Sequence, residues 1–150
     1  MKKFVFKLEK VLELRGHYEK EAKIELGRAI AVLSDIEREI EETARKRVEA
    51  AAGRFLPGRT GAEIFNTDLY IMRLDQLRDR LFEDAARAEL VVTEKREKYI
   101  EASRERKTLD RLKEKRLAEY KKAQSDEEIK TLDDIANGSR ARRALAEGLH

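Results

Sequence analysis

The sequence predicts an all-α protein, a long two-helix antiparallel coiled-coil hairpin with an overhanging C-terminal helical segment. Three observations carry this. Of 150 residues, 43% are charged and 6% aromatic, with no tryptophan or cysteine, the composition of long helices more than of a rounded core. Apolar residues recur in steps of three and four along two stretches of about 50 residues each. Between them lies one segment rich in turn formers, with three glycines and the sole proline.

The first helix is expected over residues 2–52. Its stripe reads Leu8, Val11, Arg15, Tyr18, Ala22, Leu26, Ala29, Leu33, Ile36, Ile40 and Thr43, a heptad seam. Residues 53–61 form the loop, containing Gly53, Pro57, Gly58 and Gly61. After it, Thr60 stands three positions before Glu63, the spacing at which a threonine and a glutamate satisfy each other's first-turn amides. The second helix follows over 62–136, with Tyr70, Leu74, Leu77, Leu81, Ala85, Ala88, Val92, Lys95, Tyr99, Ala102, Arg106 and Leu109 in its stripe. Two consecutive four-residue steps occur in each stripe, at Tyr18, Ala22 and Leu26 and at Leu77, Leu81 and Ala85, and should locally relax the supercoil.

A short loop makes the two arms antiparallel, giving a rod of roughly 75 Å at about 1.5 Å per residue. If 2–52 pair with 62–112, the stretch from Lys113 to Ala136 overhangs without an intramolecular partner, yet it keeps Leu117, Tyr120, Ala123, Ile129, Leu132 and Ile135. Ser125 and Glu128 repeat the capping spacing, so a break there is an open alternative. Asn137 and Gly138 tolerate the left-handed conformation that closes helices, which leaves 137–150 as a flexible tail. The free ends are basic: residues 104–122 contain nine basic and four acidic side chains, with Lys2, Lys3 and Lys7 beside them in the hairpin.

Little in the chain suggests catalysis. Without cysteine there is no thiolate, disulfide or cysteine-based zinc site. His17 and His150 are the only histidines, too few for a metal cluster, and no phosphate-binding glycine motif is present. Carboxylate pairs such as Glu37 with Glu41 and Glu97 with Glu101 read as solvated helix faces. The expectation is a protein with no catalytic residues, no metal and no cofactor. Nearly balanced charge, 34 basic against 31 acidic residues, and the acidic Asp110, Glu114 and Glu119 among the basic residues of the tip argue against nucleic acid as a partner. The start lacks the apolar stretch of a secretion signal, and no run approaches the roughly 18 apolar residues of a membrane span. A cytosolic or peripheral location without membrane insertion is expected.

Phe4, Phe6, Leu8, Val11, Leu12 and Arg15, the loop, then Lys107, Leu109, Leu112, Arg116, Glu119 and Tyr120, followed by Leu132, Asp133 and Asp134, together resemble the flagellar type III export protein family FliJ across essentially the whole chain. The resemblance implies a cytoplasmic, stalk-like hairpin, associated with the inner membrane only through the export apparatus. It further implies a protein that sits in the hole of the hexameric flagellar export ATPase, promotes ring assembly and ATPase activity, and assists export chaperones. Its free-ends tip would enter the ring, which points to Leu109, Arg111, Leu112, Lys115, Arg116, Leu117 and Tyr120. The cytoplasmic linker of the membrane export gate would bind nearer the loop, where an aromatic followed by apolar residues matches Tyr70, Leu74, Leu77 and Leu81. The family's aromatics on the facing first helix are replaced by residues such as Thr43 and Arg47. Other readings are a stalk protein of virulence type III secretion, a generic coiled-coil tether or homodimer, and a basic helical nucleic-acid-binding protein. Tyr70, Leu74, Leu77 and Leu81 are also seam positions, so plain core is the alternative reading of that patch.

Overall fold

Thr60 and Glu63 close the start of the second helix reciprocally. The Thr60 amide donates to a Glu63 carboxylate oxygen at 3.2 Å, and the Glu63 amide donates to the Thr60 hydroxyl at 3.2 Å. Just before them, Gly58 adopts φ of 84°, a left-handed turn that any side chain would strain. This computed structural model describes residues 2–148, and among them two helices, α1 (Glu9–Arg54) and α2 (Gly61–Gly148), pack against each other as a helical hairpin without strands. Met1, Leu149 and His150, the outermost positions of the expected hairpin and tail, lie outside the described residues.

Contacts divide the chain into two units, residues 16–103 and, separately, residues up to 15 with those from 104 onward. In the first, the covered positions of α1 run through Glu19, Ala22, Leu26, Ala29, Leu33, Ile36, Ile40, Thr43, Arg47 and Ala50. Those of α2 run through Ile64, Thr67, Ile71, Leu74, Arg78, Leu81, Ala85, Ala88, Val92, Lys95 and Tyr99. Both series alternate steps of three and four without interruption. The two expected irregularities are therefore absent: Tyr18 and Leu77 are exposed, and Glu19 and Arg78 hold the seam positions instead. A continuous heptad keeps each helix facing its partner, and that geometric phase overrides the polarity of single side chains.

Polar residues in and beside the seam join the two helices by ion pairs. Arg47 Nε donates to Asp75 at 2.6 Å, and Arg54 Nε lies 3.0 Å from Asp68, both joining α1 to α2 near the loop. The hydrogen bond from Arg47, with its positive charge and that of Arg78, holds the Asp75 carboxyl below its ordinary range, and the same pairing raises Arg47. Buried Thr43 satisfies its hydroxyl by donating to the Glu39 carbonyl at 2.8 Å.

In the second unit, Arg15 pairs with Glu105 at 2.5 Å and Glu9 with Lys113 at 2.8 Å, while Leu12 and Leu109 supply apolar cover. Here the ends of the helices differ from expectation. The first helix begins at Glu9, seven residues after residue 2; Lys2 to Phe6 run without helix, and Phe6 is buried. Phe4, Val5 and Phe6 are poor helix formers with no cap before them, and burying one aromatic while packing another against a tyrosine outweighs an extra helical turn. At the other end, α2 passes Ser125 unbroken and continues through Asn137 and Gly138 to Gly148. Asn-Gly permits a helix stop without requiring one. Its propensity cost of about 1 kcal/mol is offset by the alanines, arginines and leucine that follow. Neither residue takes positive φ.

Candidate functional site

The loop-proximal candidates split between core and surface. Leu74 and Leu81 are 5% exposed and belong to the seam, whereas Tyr70 and Leu77 are 43% and 38% exposed. Seven positions apart, Tyr70 and Leu77 line one flank of α2, a ledge over the buried leucines. Tyr70 also borders a shallow cavity of about 410 Å³ shared by Glu49, Ala50, Gly53, Arg59, Glu63, Asn66 and Thr67. On the facing helix, Thr43 and Arg47 are engaged with Glu39 and Asp75.

The free-ends candidates do not form one patch. Tyr120 is clasped by the N-terminal segment: its hydroxyl donates to the Lys2 carbonyl at 2.6 Å and its ring lies 5.5 Å from that of Phe4, tilted by 50°. Phe4 to Leu8, with Leu112, Arg116, Glu119 and Tyr120, enclose a cavity of about 470 Å³. This corrects the expectation that the helix is bare from Lys113. An N-terminal strap covers α2 as far as Tyr120, and Leu109, Leu112 and Leu117 are half-buried. Arg111 and Lys115 are exposed and fall a third to half a turn round the helix from Tyr120 and Leu109. Arg116 alone of the basic trio sits beside the apolar face, 4.0 Å from Glu119. The tip therefore presents an apolar face under a strap and a basic face turned away from it. Past the strap, the exposed large apolar residues of α2 are Ile129, Leu132, Ile135 and Leu145.

The strap was the element that heptad reading passed over. Its signal is the alternation Phe4, Phe6, Leu8 at a spacing of two, which fits an extended segment and no helix. No group of His, Asp or Glu side chains able to hold a metal occurs among the described residues, where His17 pairs with Glu21 at 2.9 Å. Nor is any helix among them long and apolar enough to cross a membrane.

The family model described as the flagellar FliJ protein matches residues 3–145. The chain belongs to the FliJ family. No curated protein and no solved structure matches it. The match takes in both units of this FliJ-family hairpin, from the strap through the loop to the exposed part of α2, and supports a role connected with flagellar protein export.

Proposed function

We propose that this FliJ-family protein is a non-enzymatic, stalk-like component of the flagellar export apparatus. It docks through its free ends in the hexameric export ATPase, promotes ring assembly and raises ATP turnover. The family match over residues 3–145 carries the reading. The exposed Arg111 and Lys115 support it, since cations on an outer face steer encounter with acidic ring loops. A partner that binds the closed ring better than loose subunits stabilises the ring by that difference in affinity, so turnover rises without contact to nucleotide.

Tyr70 and Leu77 are the accessible part of a gate-linker site, with Leu74 and Leu81 as the floor that positions them. Through that site the hairpin couples the ATPase to the membrane export gate, and it serves export chaperones from the cytoplasmic side of the inner membrane.

Steady-state ATP hydrolysis by the purified export ATPase, titrated with the hairpin, tests the docking. Arg111→Glu with Lys115→Glu should abolish stimulation at low salt while helicity is unchanged. Stimulation equal to the parent's would overturn the role of this face.

A further inference from the structure

Beyond Gln124, α2 has no covering element: residues 125–148 are exposed throughout, and Ile129, Leu132 and Ile135 are 55%, 65% and 63% exposed. This stretch nevertheless carries a seam. Ser125, Ile129, Leu132, Ala136, Ser139, Arg143 and Ala146 follow one another in alternating steps of four and three. Its charges are segregated along the helix. Asp126, Glu127, Glu128, Asp133 and Asp134 occupy the first half with only Lys130 opposing them, and Arg140, Arg142 and Arg143 occupy the second with only Glu147 opposing them.

The two halves cannot neutralise each other within one chain. Glu128 and Arg142 are 14 positions apart on one continuous helix, about 21 Å at the usual rise. Elsewhere the helices pair their charges at three- or four-residue spacing, as Arg28 does with Glu25, Arg38 with Asp35 and Arg87 with Asp84. Glu128 has no basic residue three or four positions away, and Arg140 and Arg142 have no acidic one. These charges are arranged for a partner whose charges run in the opposite order.

We infer that the exposed C-terminal half of α2 is a homodimerisation surface whose occupant is the same helix of a second copy, antiparallel about a two-fold axis near residue 134. In that register Leu132 packs against Ala136 of the second copy and Ile129 against Ser139, and Ile135 meets its own equivalent on the flank. Antiparallel seams bring like flanking positions together, those just before the first seam position of each heptad and those just after the second. Glu128 then meets Arg142 of the second copy, and Asp133 meets Arg140, each twice by symmetry. One pairing opposes this, Asp126 with Glu147. A parallel alignment would set acid against acid and base against base along the whole segment, so the charge order also selects the direction. The apolar layers contain serine and alanine, which makes the dimer weak, salt-sensitive and reversible. The surface lies outside Leu109 to Tyr120, so its failure would leave the proposed docking of the tip untouched.

Sedimentation velocity on the full chain in low salt, over a wide concentration range, tests the inference. The parent should pass from monomer to dimer with rising concentration and revert to monomer in 0.5 M NaCl. Arg140→Glu with Arg142→Glu in one variant, and Glu128→Arg with Asp133→Arg in another, should each remain monomeric, and an equimolar mixture should dimerise because all four cross-pairs are restored. A parent that stays monomeric throughout would overturn the proposal. So would variants that dimerise like the parent, a mixture that does not, or higher oligomers in place of a dimer.

Discussion

The Tyr120 hydroxyl donates to the Lys2 carbonyl oxygen at 2.6 Å, tying the start of the chain to a residue 118 positions later. With the Phe4 ring packed at a tilt against Tyr120, this bond is a principal tether of the strap. At a partly exposed site the hydrogen bond and ring contact together contribute about 1–2 kcal/mol. Tyr120→Ala should therefore accelerate tryptic cleavage after Lys3 and Lys7 severalfold while the unfolding midpoint of the protein hardly moves. Tyr120→Phe should fall between, since it keeps the ring contact and loses the bond. Cleavage at the parent rate in Tyr120→Ala would show that Phe6 burial alone holds the strap.

The seam register is testable on both helices. Leu26→Ala and Leu74→Ala remove covered methyl groups and should each cost about 2–4 kcal/mol in urea unfolding. Tyr18→Ala and Leu77→Ala, in the exposed positions beside them, should cost under about 1 kcal/mol. Equal losses at Tyr18 and Leu26 would restore the interrupted stripe in place of the continuous heptad.

Asp75 sets a pH dependence. Its folded carboxyl, lowered by the hydrogen bond from Arg47, contributes stability above its unfolded value near pH ~4, and that contribution disappears as pH falls through the folded value. Asp75→Asn should melt below the parent at pH 7, and the two melting temperatures should converge as acid protonates the Asp75 carboxyl of the folded parent. A constant gap across this range would remove the ion pair as the cause.

Thr43 is a polar residue in a covered seam position whose hydroxyl returns to its own helix. Thr43→Val keeps the shape and adds an apolar group, and the Glu39 carbonyl keeps its place at helical spacing from the Thr43 amide. Melting should show the variant as stable as the parent or up to about 1 kcal/mol more so. A loss above that would mean that the hydroxyl bond positions α1.

At the loop-proximal ledge, Tyr70→Ala should weaken binding of the isolated gate linker several-fold in a calorimetric titration, with an unchanged melting temperature because Tyr70 is 43% exposed. Binding and melting falling together would assign Tyr70 to the core instead.

The sequence by itself determined that this protein is two long helices joined at Gly53 to Gly61, and the Thr60 and Glu63 cap, because composition, three-four spacing and capping chemistry are local properties of the chain. It also carried the family. Which residue of each neighbouring pair enters the seam, Glu19 or Tyr18, Arg78 or Leu77, was decided only by packing. The helices keep one heptad phase over many turns, and a single misfit side chain snorkels out at less cost than a phase break. Tertiary structure likewise separated Leu74 and Leu81 from Tyr70 and Leu77, and turned Arg111 and Lys115 away from Tyr120. It also placed Phe4 and Phe6 against α2, since nothing local fixes where an extended end lies until an apolar face is there to receive it. Asn137 and Gly138 show the same limit from the other side. A sequence that allows a stop does not impose one where the residues on both sides favour helix.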